Sequence, residues 1–311
     1  MLSLIAKRAT NTILPQFNNC SGGTNFVKSI AKMSHQASYE TLSVTVPSEF
    51  VYHVELNRPD QLNAMNKTMW LDIGQCFENL NTDENCRVIV LSGAGKIFTA
   101  GLDFQDMLTL APQLAEQEDV ARKSKILYQL ITTYQKSISA LELCKKPILA
   151  AIHLACVGGG VDLIAAADMR YCTKDSWFQV KEVDIGMAAD VGTLQRLPKI
   201  IGSDSLVREL CYTARKMPAA EALGSGLVSR VFEDKASMIE GVIGIAKEIS
   251  KKSPVAVQGT KVSLVYSRDH TVQEGLDHIA LWNQLMLQSE DFTTATVAQA
   301  TKQKDTVFAK L

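Results

Sequence analysis

The sequence predicts an α/β fold with mostly parallel strand pairing, on three observations. Short β-branched and apolar runs alternate with longer stretches of helical periodicity, as in strand–helix–strand units. The runs Val88–Leu91 and Ile148–Ile152 are apolar throughout, which suits strands covered on both faces. At 311 residues, 46% hydrophobic and 21% charged, the chain can also bury a full core as one large domain or one domain plus an appendage.

Taken in order, Thr41–Thr45 and Val51–Leu56 alternate apolar with polar or β-branched residues, predicting a strand pair joined near Pro47. Arg58–Asn63 turns the chain at Pro59 and Asp60 into a helix carrying Met65, Met69, Ile73 and Phe77 at helical spacing. Val88–Leu91 is a buried strand ended by Ser92-Gly93-Ala94-Gly95. Leu108–Leu143 predicts two helices, Ile148–Ile152 a second buried strand and Met169–Thr173 a third. Beyond Pro218 the pattern predicts helix throughout. There is no tandem repeat.

Charge and cysteine usage narrow the function. The balance is 32 basic minus 33 acidic residues, or -1, with no long basic run, which argues against a dedicated nucleic-acid groove. Seven cysteines form no CxxC pair and lie in apolar segments, as reduced thiols do. The five histidines fall in no ligand spacing, so no metal is expected. The longest apolar run, Ile148–Val157, contains His153 and is too short to span a bilayer. Residues 1–39 hold no Asp or Glu but carry Lys7, Arg8, Lys28 and Lys32, the makeup of a mitochondrial transit segment; without them the balance is 28 minus 33, or -5. Ala309-Lys310-Leu311 is a near variant of the peroxisomal Ser-Lys-Leu signal, which acts only when exposed. The expected location is therefore the mitochondrial matrix, the peroxisome or both.

Two turns carry candidate chemistry. In Phe98-Thr99-Ala100-Gly101-Leu102-Asp103, a glycine brings backbone close to a ligand and the next residue offers a free amide. In the second, a buried strand runs through Val157-Gly158-Gly159-Gly160 into a helical Val161–Ala167. Glycines at a helix N-terminus leave amides unsatisfied where the macrodipole favours negative charge. The stretch has neither Gly-Lys-Ser/Thr nor the dinucleotide spacing, so an enolate fits it better than a phosphate. Nearby stand three carboxylates in apolar surroundings, Asp162, Glu182 and Asp190. Acids are rarely buried without a partner or a task, and beside free amides they suit proton transfer next to a stabilised oxyanion.

These pieces, with Leu56-Asn57-Arg58-Pro59, Leu62-Asn63-Ala64-Met65, Gln195-Arg196-Leu197-Pro198 and Ala222–Val228, resemble the enoyl-CoA hydratase/isomerase (crotonase) family over roughly residues 50–235. The resemblance implies a crotonase-like spiral of ββα units with a C-terminal helical trimerisation region. It divides the chain into a targeting segment (1–39), a spiral core (40–240) and an oligomerisation region (241–311). It implies an acyl-CoA thioester substrate with no separate cofactor, and a homo-oligomer, trimer or hexamer. The amides of Leu102 and Gly159 would form the oxyanion hole, and Ala100, Gly101, Leu102, Asp103 and Phe104 with Gly159 would line the substrate groove.

The acids then separate the subfamilies. Family hydratases carry two glutamates about twenty residues apart; here Asp162 and Glu182 hold those places. Asp190, where a hydratase has glycine, resembles the branch that moves 3,5-double bonds of a dienoyl-CoA to the 2,4-positions. That reaction removes a proton at C2 and delivers one at C6, about 5 Å apart by standard bond lengths, so two acids are needed. Carried over from the branch, Asp190 is expected to be the base at C2 and Glu182 the acid at C6, with Asp162 tuning Glu182. Taken singly each acid also has a plain reading: Asp162 as a helix cap, Glu182 as a solvated charge beside Lys181, Asp190 as a turn opener. Asp168 and Arg170 read as a structural ion pair and His153 as a satisfied core residue. Lys251, Lys252 and Lys261 stand near the start of the last helical stretch, with nothing to select one for the CoA phosphates. The alternatives are an enoyl-CoA hydratase, a 3,2-enoyl-CoA isomerase and, outside enzymes, an RNA-binding protein of this fold.

Overall fold

The computed structural model describes residues 38–303 and 306–311, so nearly all of the expected targeting segment, residues 1–37, lies outside the described residues. Strands β1 (Leu42–Ser48) and β2 (Val51–Leu56) form an antiparallel pair. Pro47 lies near the end of β1, where the register slips between Thr45 and Ser48. β1 is an edge strand, the place where a residue without an N–H is tolerated. Helix α1 (Lys67–Thr82) starts one residue after Asn66, whose side chain caps it by accepting from the Met69 N–H. Met65 thus precedes the helix expected to contain it and is buried where it bridges to Leu102.

β3 (Val88–Gly93), β4 (Ile148–Ile152), β6 (Met169–Thr173) and β9 (Arg230–Phe232) continue the sheet in the order β1-β2-β3-β4-β6-β9, with every pair after β1–β2 parallel. The all-apolar runs serve both faces. Ile89, Leu91, Ile148, Ala150 and Ile152 point into the main core with α1 and α4 (Val120–Leu143). Val88, Val90, Leu149 and Ala151 meet Met238, Val242 and Ala246 of α9 (Lys235–Ser250) on the other. A smaller sheet, β5 (Ala155–Val157), β7 (Trp177–Gln179) and β8 (Met217–Pro218), stands beside it.

The stretch after Pro218 is not helical throughout, because Arg230–Phe232 pairs with Tyr171–Thr173. Between β3 and β4, α2 (Phe104–Leu108) and α3 (Leu110–Ala115) precede the long α4. α5 (Gly159–Ala165) follows β5, and α6 (Thr193–Ile200), α7 (Asp204–Thr213) and α8 (Ala219–Gly224) lead to β9. The chain closes on α10 (Pro254–Ser267), α11 (Val272–Met286) and α12 (Glu290–Thr301). At the tail, Arg87 donates to the Phe308 and Ala309 carbonyls and Lys310 to Asn85, while the side chains of residues 309–311 stay exposed.

Asp168 and Arg170 do not pair with each other. Asp168 takes Lys261 at 2.7 Å, whereas Arg170 spends its donors on the Ile164, Ala167 and Leu227 carbonyls that close α5 and the turn before β9. Lys261 is buried, donates also to the Leu141 and Lys146 carbonyls, and is thereby committed to structure.

Candidate active site

The two glycine turns are laced together before any side chain is considered. Thr99 and Cys156 form a parallel bridge, with Thr99 N–H on the Ala155 carbonyl and Val157 N–H on the Thr99 carbonyl. Gly101, at φ +88°, packs so close that a Cβ there would stand 2.7 Å from the Val157 carbonyl oxygen. Any larger residue would part the turns. Asn63, fully buried, donates to the Ala94, Ile97 and Phe98 carbonyls and fixes the first turn from behind.

This arrangement leaves two donors free. Among the described residues, neither the Leu102 N–H nor the Gly159 N–H, at the first position of α5, reaches an acceptor. Both residues line a cavity of about 240 Å³. Buried donors without acceptors are uncommon and mark a place for an oxygen from outside the chain.

The same cavity receives all three acids. Asp162 enters from α5, Glu182 from the 3-10 turn Glu182–Ile185, and Asp190 from the irregular stretch before α6. Asp162 does not cap α5, since it is the fourth residue of that helix and its Oδ1 accepts from the Thr193 N–H at 2.5 Å. Its Oδ2 and the Glu182 Oε2 are buried without hydrogen-bond partners. Burial, above all, pushes the Asp162 carboxyl up to about 6, against the lowering pull of Thr193; the Asp190 charge adds to the rise and Arg196 opposes it. Burial and then the Asp162 charge push Glu182 up to about 7. Burial also raises Asp190. Each shift has the sign expected of carboxylates removed from water beside others of their kind.

Glu182 Oε1 lies beside Gly158, 3.4 Å from where a Cβ on that glycine would sit, and Gly158 directly precedes the free Gly159 amide. Asp190 is held from the other side, its carbonyl accepting from the Gln135 side chain of α4 at 2.7 Å. Of the groove residues predicted, Ala100, Gly101, Leu102, Phe104 and Gly159 line the cavity. Asp103 does not: its carboxylate accepts from Arg58 at 2.9 Å and caps α2, because Arg58 occupies the space behind the turn.

Apart from Lys181, the rest of the wall is largely apolar and escaped the sequence reading. Trp70 and Tyr134 stack with ring centroids 4.7 Å apart, and Leu127, Leu130 and Ile131 extend the surface along α4. The signal was present as helical spacing of apolar residues, but spacing alone does not distinguish a pocket wall from a core. A larger cavity of about 650 Å³ lies between Ala165–Arg170 and α10, yet Asp168, Arg170 and Lys261 within it are already paired. His153, held neutral by burial that pushes it to about 4, contacts the Gly95 carbonyl at 3.1 Å through Nε2, and its Nδ1 has no partner. Among the described residues no cluster of His, Cys, Asp or Glu is placed to hold a metal, and no helix is long and apolar enough to cross a membrane.

Residues 47–305 match the family model described as enoyl-CoA hydratase/isomerase. The chain belongs to that family. It is 55% identical over 276 residues to the mitochondrial Delta(3,5)-Delta(2,4)-dienoyl-CoA isomerase of Homo sapiens, covering 88% of this chain and 84% of the relative. To the peroxisomal Delta(3,5)-Delta(2,4)-dienoyl-CoA isomerase of Arabidopsis thaliana it is 44% identical, covering 88% and 99%. Among solved structures, the enoyl-CoA hydratase of Bacillus anthracis superposes with a TM-score of 0.78 at 25% identity over 87% of this chain and 99% of that one. This family member therefore shares its fold with hydratases and about half of its residues with dienoyl-CoA isomerases.

Proposed function

We propose that this chain is a 3,5- to 2,4-dienoyl-CoA isomerase acting in fatty-acid β-oxidation, with coenzyme A bound only as part of the substrate. The observation that carries the reading is the third acid. Asp190 shares one apolar cavity with Asp162 and Glu182 beside two unsatisfied amides, and the chain's similarity to proteins named for this activity supports it. A hydratase requires no acid at that position.

The thioester oxygen accepts from Leu102 N–H and Gly159 N–H, so charge arriving there on enolisation meets preorganised donors. Glu182 Oε1 lies beside Gly158, next to the free Gly159 amide, and this supports placing it at the carbon adjacent to the thioester carbonyl. Glu182 therefore takes the C2 proton and Asp190 delivers one to C6, the reverse of the roles expected from the sequence. The C2–H electrons form C2=C3, the C3=C4 pair moves to C4=C5, and the C5=C6 pair takes the new proton. Asp162 adds negative charge beside Glu182 and makes it a stronger base near neutral pH.

The apolar residues exposed on the last helices, Leu264, Leu281 and Leu285 among them, support assembly into a homo-oligomer. The names of the relatives support residence in mitochondria, peroxisomes or both. The test offers purified protein a 3,5-dienoyl-CoA and a 2-enoyl-CoA. Conjugated-diene absorbance should appear with the first and no hydration with the second; hydration without conjugation would establish the hydratase reading instead.

A further inference from the structure

An acid that delivers a proton to C6 must be held within hydrogen-bond reach of that carbon's path, yet Asp190 lies in a stretch without regular structure. Its carboxylate therefore takes its position from what grips the four residues Asp190–Thr193. Two hydrogen bonds and one close packing contact are visible. Gln135 donates to the Asp190 carbonyl at 2.7 Å. The Thr193 N–H donates to Asp162 at 2.5 Å. Between them Gly192, at φ +139°, lies so near the Arg196 guanidinium that a Cβ there would stand 1.9 Å from Nη1.

Arg196 is itself clamped. Its Nη2 donates to Ser139 Oγ and to Glu142 Oε2, both at 2.9 Å, and its Nε reaches the same Glu142 oxygen at 3.2 Å. The Arg196 and Glu142 side chains are only 11% and 16% exposed. Gln135, Ser139 and Glu142 stand at i, i+4 and i+7 on α4, one stripe of the helix. A neighbouring stripe with the same spacing, Leu127, Ile131 and Tyr134, lines the acyl cavity. One rigid helix thus carries both the wall against the acyl chain and the fastening of the acid that must meet it.

We propose that Arg196 and Gln135 are positioning residues for the C6 proton donor, fixing the Asp190–Thr193 turn to α4 so that Asp190 and the acyl-lining wall keep one geometry. This assignment rests on the roles given above to Glu182 and Asp190. Neither residue touches the oxyanion hole or Glu182 in the contacts described, and Arg196→Lys keeps the positive charge that acts on Asp162, so proton removal at C2 is retained in both variants.

The experiment compares the parent with Gln135→Ala and Arg196→Lys, using 3,5-dienoyl-CoA with and without deuterium at C2, in light and heavy water. Gln135 is exposed, so that variant remains folded even if loss of the Arg196 clamp disturbs α6. Each substitution should lower kcat by about tenfold, below the hundredfold that a 1 Å misplacement can produce, with KM unchanged. The isotope effect from C2 should fall toward one and the solvent isotope effect should rise, because delivery at C6 becomes the slow step. Unchanged kcat, or a loss with both isotope effects at parental values, overturns the proposal. Failure of the underlying reading is distinct: the parent would then not conjugate the diene, or Asp190→Asn would remain fully active.

Discussion

Glu182 combines two properties that pull on stability and activity in opposite directions. Its carboxyl, pushed up to about 7 by burial and the Asp162 charge, stays partly unprotonated at neutral pH, as a base must. The rate kcat/KM should therefore trace a bell against pH, rising on the acid side as Glu182 sheds its proton and falling on the alkaline side as Asp190, whose carboxyl burial also raises, loses the proton it must deliver, and Glu182→Gln should lower it by at least about a hundredfold across the bell. Asp190→Asn should cost about as much, since a missing donor stops the reaction at the dienolate. For folding the sign is the other way. A carboxyl whose folded pKa is raised binds its proton more tightly when folded, so its favourable contribution is complete below the unfolded value and is lost as pH rises through about 7. Melting curves should accordingly show Glu182→Gln more stable than the parent at pH 8 and little different at pH 4.5. An equal offset at both pH values would mean that packing, not ionisation, sets the change.

At the scale of elements, the two glycine turns do the positioning, and Gly101 is where they meet. Gly101→Ala adds a methyl that clashes with the Val157 carbonyl and forces a positive φ on a residue that resists it. Displacing the Leu102 amide should lower kcat by about a hundredfold or more, the usual loss of one oxyanion donor, while the circular dichroism spectrum stays parental. These turns were legible in the sequence because glycines after apolar runs state a backbone requirement directly. The buried strands were legible for a similar reason: an unbroken Val88–Leu91 has only one comfortable place, between two covered faces. What escaped notice was set by distant partners. β5, β7 and β9 are three residues each, too short to show a period, and β9 exists because Arg230–Phe232 reaches β6 across the intervening helices. The proposed choice of Glu182 over Asp190 as base was equally hidden, since it rests on which carboxylate folds against Gly158. Arg196 was visible only as part of a motif; its contact with Ser139 and Glu142 joins α6 to a helix more than fifty positions earlier.

Across the whole molecule, apolar surface is distributed unevenly. The cavity that holds the acids is lined by residues between Trp70 and Val191, none of them from the last three helices. Those helices nevertheless leave large side chains in water. On α11, Leu281 is 66% and Leu285 63% exposed, one turn apart on a single face, and Leu264 of α10 is 66% exposed. Isolated exposed leucines are common, but a shared face on one helix suits burial against another copy. Light scattering of the parent should therefore give a mass several times 34.1 kDa. The double change Leu281→Glu with Leu285→Glu should move the mass toward that of one chain, because two charges on each copy would have to be desolvated at the contact. The melting temperature should fall with dilution for the parent and become independent of concentration for the variant, as linkage between folding and association requires. A monomeric parent, or a variant that keeps the parental mass, would place the role of this face within one chain.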